Sequence, residues 1–121
     1  MPELRSTAPG SSGAMTSSTP VFEIRPEPGG GRFKLVGELD LFSAEALLEE
    51  VRPVAEEDAD IVLDLRELTF MDSTGVRSFV SISNRLSSGS LTLEGPRSNV
   101  ARVLRLVGAE AFPHVRIVWV D

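Results

Sequence analysis

From residue 32 onward the chain alternates three times between a strand pattern and a helix pattern, and this alternation is what most restricts its fold. Residues 32–38 alternate apolar with polar side chains, residues 60–65 are apolar enough for a buried central strand, and residues 90–94 alternate again. A last strand pattern covers residues 115–120. Strands separated by helices predict an α/β fold, with a mixed, mostly parallel sheet of four to five strands joined by crossover helices.

The chain begins this pattern with a predicted hairpin. Residues 21–25 form a short strand pattern, and Pro-Glu-Pro followed by three glycines separates it from the strand at 32–38. This pair adds an antiparallel edge to the sheet. A one-face apolar pattern then predicts a helix that opens at Ser43, with a kink or an end at Pro53. Helical patterns also cover residues 73–86 and 100–107, the latter closed by Gly108.

Residues 1–20 differ in composition from the rest of the chain. They are dominated by Ser, Thr, Pro, Gly and Ala, and their two charges cancel. Such a segment buries too little apolar surface to offset the entropy of ordering it. The sequence therefore predicts a disordered tail at residues 1–20 and one domain at residues 21–121.

Composition excludes several classes of function. The chain has no cysteine and a single histidine, His114, so thiol catalysis, thiolate zinc sites and a multi-histidine metal cage are excluded, and we expect no cofactor. A net charge of −6 disfavours direct contact with nucleic acid and favours a basic or amphipathic partner. No apolar run reaches the roughly 20 residues of a membrane span, and a secretory signal is missing. We therefore expect a cytoplasmic protein without a membrane partner.

One loop concentrates polar groups at a predicted helix start. Its sequence, residues 70–76, is Phe-Met-Asp-Ser-Thr-Gly-Val, and it follows the buried strand at 60–65. Side-chain oxygens there can cap the helix, which is the simplest structural explanation. However, ligands and partners of open α/β sheets meet the loops at the carboxyl ends of the strands. The Gly-Glu-Leu-Asp loop at residues 37–40 is expected at the same edge, so the two loops predict one surface patch.

Together these motifs resemble the STAS domain family, and within it the bacterial anti-sigma factor antagonists. The resemblance covers about residues 21–121 and rests on the order of residues 37–40, 61–65, 70–75 and 100–108. It implies that Ser73, directly after Asp72, is phosphorylated by an anti-sigma factor that is itself a serine kinase of an ATPase fold. It further implies that the unmodified chain binds this kinase and frees a sigma factor, that phosphorylation releases it, and that a metal-dependent serine phosphatase resets it.

The resemblance also implies a partner-binding surface, and the physics of phosphate supports a switch there. The expected members of this surface are Asp40, Asp72, Ser73, Thr74, Gly75 and Arg77. Phosphate adds about −1.5 to −2 charges, which a helix N-terminus can hold while a docked partner surface is repelled. Two positions depart from the family pattern, Thr74 mildly and Arg77 more strongly. The long cation of Arg77 either pairs with the phosphate or occupies space at the interface.

Two enzymatic interpretations fit poorly, and we expect no enzyme. The aspartic-protease loop places a hydroxyl residue and a glycine directly after the aspartate, whereas here one extra residue intervenes and a helix follows. A serine hydrolase needs a nucleophile elbow, Gly-x-Ser-x-Gly, which is missing. One alternative remains, in which the chain has the same fold but a different role. STAS domains also resemble accessory subunits of membrane transporters and scaffolds of stress-sensing complexes.

Overall fold

The computed structural model describes residues 21–120, so the predicted tail at residues 1–20 lies outside the described residues. The strands and helices follow in the order β1 (Phe22–Pro26), β2 (Arg32–Leu39), α1 (Leu41–Glu56), β3 (Ile61–Met71), α2 (Ser73–Asn84), β4 (Leu91–Glu94), α3 (Ser98–Leu106) and β5 (Val115–Val118). A short 3-10 turn, Ala109–Ala111, lies between α3 and β5.

The strands form one sheet in which spatial order equals chain order, β1-β2-β3-β4-β5. β1 and β2 form an antiparallel hairpin, and each later strand is parallel to the one before it. The predicted mixed, mostly parallel sheet is therefore confirmed, with five strands. Because the sheet grows in one direction, right-handed crossovers place α1, α2 and α3 on the same face.

The hydrophobic core fills the space between the sheet and these helices. Phe33, Leu63 and Leu93 lie side by side across β2, β3 and β4, and each is at most 5% exposed. Helix residues Leu47 and Leu104 pack into the same cluster without measurable exposure. The alternating strand patterns thus direct one side chain in two towards the helices, which is the burial expected of a sheet covered on one face.

The other face of the sheet carries ion pairs instead of a second helical layer. Arg32 donates to Glu94 at 2.7 Å, reaching across β3, and Lys34 lies 3.2 Å from Glu67. Arg66 further pairs with the buried carboxylate of Asp64 at 3.3 Å. Partly exposed pairs of this kind add little stability individually. Their effect is to keep the uncovered face charged and hydrated.

The third strand is longer than the sequence pattern predicts. We expected it to end at residue 65, with Phe70 and Met71 in a loop, but it continues through Met71 beside β2. The register shifts between Lys34 and Val36 and again between Gly37 and Glu38. Each shift inserts one extra residue into β3, which interrupts the strict alternation of apolar and polar positions that identifies a strand from sequence.

The first helix also differs from its prediction at both ends. It begins at Leu41 with Asp40 as N-cap, so Ser43 is not its first residue. Pro53 does not end the helix, which continues to Glu56. Because proline has no N–H, the carbonyl of Glu49, four residues earlier, has no helical donor. Pro53 and Glu49 both lie on the exposed side of the helix. Water can reach that carbonyl, which reduces the cost of the missing hydrogen bond.

A single carboxylate fastens the end of α1 to the loop before β4. Asp58 has a left-handed φ of 57° and follows Glu57, the C-cap of the helix. Its Oδ1 accepts from the backbone N–H groups of Ser87 at 2.7 Å and Gly89 at 3.0 Å, and its Oδ2 accepts from Ser88 at 2.9 Å. These bonds, that of Ser87 first, hold the pKa of Asp58 below its ordinary value.

Replacing this carboxylate is expected to reduce stability in a pH-dependent manner. In Asp58→Asn, an NH₂ group would face one of the backbone N–H donors, so we expect the melting temperature at pH 7 to fall by several degrees. Because the folded-state pKa is lowered, the contribution of Asp58 is complete above the ordinary carboxyl pKa and is lost as pH falls through the lowered value, below about pH 4. The difference between wild type and variant should therefore narrow in acid.

Melting curves recorded from pH 7 down to about pH 3 would test this. Glu57→Gln is the matched control, because Glu57 is the exposed neighbouring acid. Equal melting temperatures for wild type and Asp58→Asn at pH 7 would show that the carboxylate does not hold the two loops together.

Candidate functional site

The two predicted polar segments meet at the carboxyl edge of the sheet, as expected, although residues 37–39 belong to strand β2 and not to a loop. Leu39, the last residue of β2, pairs with Met71, the last residue of β3. The N–H of Asp72 also lies 3.4 Å from the carbonyl of Leu39. Since α1 and α2 begin directly after these paired residues, Asp40 and Asp72 occupy equivalent positions on adjacent chain segments. We call this region the switch edge, defined as residues 38–42 and 70–77.

Asp40 holds the first turn of α1 through a reciprocal capping network. Its Oδ1 accepts from the N–H groups of Phe42 and Ser43, both at 3.1 Å, and lies 2.9 Å from the Ser43 hydroxyl. The Ser43 Oγ in turn accepts from the N–H of Asp40 at 2.8 Å. The hydrogen bonds from Ser43, its backbone N–H first, lower the pKa of Asp40. Asp40 is thus an ionised side chain on a fixed helix start.

Asp72 performs the same role for α2 and, in doing so, engages the hydroxyl of Thr74. Its Oδ1 accepts from the backbone N–H groups of Thr74 at 3.0 Å and Gly75 at 3.3 Å. The Thr74 hydroxyl donates to the same oxygen at 2.6 Å. Asp72 is therefore the N-cap, and Thr74 stiffens the cap.

Ser73 is the first residue of α2 and is left free by this network. It is exposed, and its hydroxyl has no hydrogen-bond partner among residues 21–120. The simplest structural explanation of this serine, that its own oxygen caps the helix, is wrong because Asp72 supplies that oxygen. Two adjacent hydroxyl groups in the sequence consequently have different environments: Thr74 is bonded to a carboxylate, and Ser73 faces solvent.

The remaining predicted site residues lie on opposite sides of α2. Gly75 is buried, and a Cβ atom there would collide with the Met71 side chain and lie 3.1 Å from Leu39 Cδ2. This close approach allows the first turn of α2 to rest on the ends of β2 and β3. Arg77 is exposed, one helical turn after Ser73, and forms no salt bridge within the part of the chain that the structure describes.

The sequence motifs do not identify the roles of two residues at or next to the switch edge, Ser43 and Phe42. Ser43 was predicted as a helix start, whereas it is the third helical residue and positions Asp40. Asp40 and Ser43 are three residues apart before an apolar helical pattern. This spacing is the signal that could have identified the reciprocal capping network. No sequence motif singles out Phe42, which is 83% exposed and whose N–H donates to Asp40.

Neither a metal-binding cluster nor a membrane-spanning helix occurs between residues 21 and 120. Between residues 21 and 120, no group of three His, Cys, Asp or Glu side chains is arranged to hold a metal ion. None of the helices in that range is long and apolar enough to cross a membrane. The fold and the switch edge together define a one-sheet α/β domain with a polar surface built from two helix starts.

Comparison with known proteins assigns this domain to a family. The model of the STAS domain family matches residues 21–117, so the chain belongs to that family. The anti-sigma-B factor antagonist of Bacillus subtilis (strain 168) is 36% identical over 76 residues, which cover 61% of this chain and 70% of the relative. The anti-sigma-B factor antagonist of Staphylococcus aureus (strain NCTC 8325 / PS 47) is 29% identical over 85 residues, 68% of this chain and 79% of the relative.

Solved structures of similar fold support the architecture. The unphosphorylated form of the anti-sigma factor antagonist SpoIIAA aligns with a TM-score of 0.58 at 19% identity, covering 83% of this chain and 87% of the other. An anti-sigma factor antagonist from Mycobacterium paratuberculosis aligns with a TM-score of 0.64 at 22% identity, covering 82% and 89%. These alignments confirm the predicted STAS-like fold.

Proposed function

We propose that this chain is an anti-sigma factor antagonist whose binding is switched by phosphate on Ser73. In the unmodified state it binds an anti-sigma factor that is also a serine kinase and thereby frees a sigma factor. Phosphorylation of Ser73 releases the chain, and a metal-dependent serine phosphatase restores it. The observation that carries the proposal is the exposed, unbonded hydroxyl of Ser73 on the switch edge of a STAS domain. The names of the relatives support the antagonist role over that of a transporter subunit.

The geometry favours Ser73 over Thr74 as the phosphate acceptor. A kinase must reach the hydroxyl and remove its proton, and the Ser73 hydroxyl is exposed and unbonded. The Thr74 hydroxyl would first have to leave the Asp72 carboxylate, to which it donates at 2.6 Å. A bond to a charged acceptor contributes about 1.5–3 kcal/mol, which makes the threonine the slower acceptor.

The fold is able to retain its structure after phosphorylation. Ser73 stands at the N-terminus of α2, where the helix dipole and the first backbone N–H groups stabilise an anion. Arg77, exposed one turn later, is placed to interact with the same phosphate. The carboxylates of Asp40 and Asp72 add negative charge on the same edge. Phosphorylation therefore changes the surface presented to a partner more than it changes the domain beneath it.

Mapping of the phosphorylated residue tests the proposal. After incubation with the cognate anti-sigma factor and ATP, we expect phosphate on Ser73, none in Ser73→Ala, and undiminished incorporation in Thr74→Val. The valine variant keeps the shape of the side chain while removing its hydroxyl, so it controls for changes in the helix start. Modification confined to Thr74, or incorporation that persists in Ser73→Ala, would contradict the assignment.

A further inference from the structure

The switch edge exposes apolar side chains next to its carboxylates. Phe42 is 83% exposed, Leu41 is 56% exposed and Phe70 is 40% exposed. By contrast, the core phenylalanines Phe33 and Phe79 are at most 5% exposed. Leu41 and Phe42 open α1, and Phe70 pairs with Glu38 near the end of β3, so all three belong to the edge that carries Ser73.

The backbone that carries Phe42 is fixed in advance of any contact. The N–H of Phe42 donates to the Asp40 carboxylate at 3.1 Å, and Asp40 is itself held by Ser43. A partner that covers Phe42 would therefore order only its ring and not its main chain. Contacts on such pre-ordered positions lose less entropy on binding, and large aromatic side chains dominate the energetics of many interfaces.

The charges around these side chains distinguish the switch edge from the uncovered face of the sheet. On the sheet face, acidic groups such as Glu94 and Glu67 are paired with Arg32 and Lys34. On the switch edge, Glu38, Asp40 and Asp72 form no salt bridge with any residue between 21 and 120. The edge also carries one exposed cation, Arg77, so it combines exposed apolar area with an excess of negative charge, three carboxylates against one guanidinium.

We propose that Phe42 is the apolar anchor of the contact with the anti-sigma factor, and that it enters an apolar pocket bordered by Lys or Arg on that partner. This inference rests on the proposed function and specifies the partner surface that the function requires. Charge complementarity decides the occupant, because basic side chains on the partner would compensate the excess of carboxylates over the single cation, Arg77. In a symmetric contact with a second copy of this chain, the same carboxylates would face and repel one another. Nucleic acid would likewise bring negative charge to a negatively charged surface.

Titration calorimetry with the purified cognate anti-sigma factor tests the anchor. We expect Phe42→Ala to raise the Kd by about tenfold or more, as truncation of an aromatic anchor does. The matched control is Leu106→Ala, because Leu106 is 76% exposed at the last residue of α3, away from the switch edge. Its Kd should equal that of the wild type, and the melting temperatures of both variants should match the wild type. Added salt should weaken the wild-type complex.

Four outcomes decide between the possibilities. If the wild type binds and is phosphorylated on Ser73 while Phe42→Ala binds equally well, the anchor is overturned and the proposed function stands. If the wild type does not bind the anti-sigma factor, the proposed function fails, and the anchor fails with it. If added salt does not lower the affinity, the proposal that Lys or Arg borders the pocket is wrong. A wild-type dimer in ultracentrifugation that Phe42→Ala dissociates would assign the patch to a second copy instead.

Discussion

Phosphorylation of Ser73 is expected to weaken binding to the anti-sigma factor by a few hundredfold, whereas Ser73→Ala should bind as tightly as the unmodified chain. A partner surface that fits a hydroxyl meets added bulk and about −1.5 to −2 charges beside Asp40 and Asp72. A loss of about 3–4 kcal/mol on this account corresponds to that change in Kd. Ser73→Asp should fall between the two, because aspartate carries one charge and two oxygens.

The structure makes folding and binding separable in this experiment. Asp72 is the N-cap of α2, so neither alanine nor aspartate at position 73 removes the cap, and aspartate suits the positive end of the helix dipole. Both variants should melt close to the wild type. Ser81→Asp, an exposed serine on the same helix two turns further on, controls for the added charge alone. If phosphoserine at position 73 binds as tightly as alanine, repulsion at the switch edge is not the mechanism of release.

Gly37→Ala is expected to destabilise the domain by about 2–4 kcal/mol, through backbone strain and a collision together. Gly37 has φ of 102°, a conformation that side chains rarely adopt. A Cβ atom there would collide with the carbonyl oxygen of Val21 and lie 3.2 Å from Phe22 Cα. Because these are backbone atoms of strand β1 and of the residue that precedes it, no side-chain rotation can relieve the contact. The hairpin would have to open where Glu38 donates its N–H to Val21, at 2.6 Å.

Gly29→Ala separates the two causes of this loss. Gly29 has nearly the same φ, 100°, but no atom lies within 4 Å of a Cβ placed on it. Its substitution should therefore show only the strain, about 1–2 kcal/mol. Denaturant unfolding followed by the fluorescence of Trp119 measures both variants. If Gly29→Ala and Gly37→Ala lower the free energy of unfolding by the same amount, strand β1 moves away from the added methyl group without loss of stability.

The architecture and the location of the switch edge could be predicted from sequence because they depend on patterns of many residues. The alternation of strands and helices fixed the sheet, and the rule for carboxyl ends of parallel strands brought residues 37–40 and 70–76 together. What could not be predicted depends on single contacts. The extra residues in β3 interrupt the alternation of apolar and polar side chains in the second half of the strand. The alternation alone does not show where the register of the two strands shifts.

The roles within the Asp-Ser-Thr-Gly loop were equally beyond sequence patterns. Asp72, Ser73 and Thr74 all have oxygens that can cap a helix, and only the geometry shows which one does. The sequence also does not show why position 75 is a glycine. The reason is its close approach to Leu39 and Met71, which only the structure shows. The exposure of Phe42 likewise depends on the direction in which α1 leaves the sheet, which its apolar pattern alone does not specify.

The sequential order of the strands has a consequence for how the chain folds. Each strand pairs with the one that precedes it in the chain, so every sheet contact closes a loop no longer than one crossover. A topology of this kind needs no pairing between distant ends of the chain, which favours a fast folding reaction for a largely parallel sheet. The switch edge is built entirely from elements between β2 and α2. All residues that form this edge therefore precede the last two strands, β4 and β5, in the order in which the chain is synthesised.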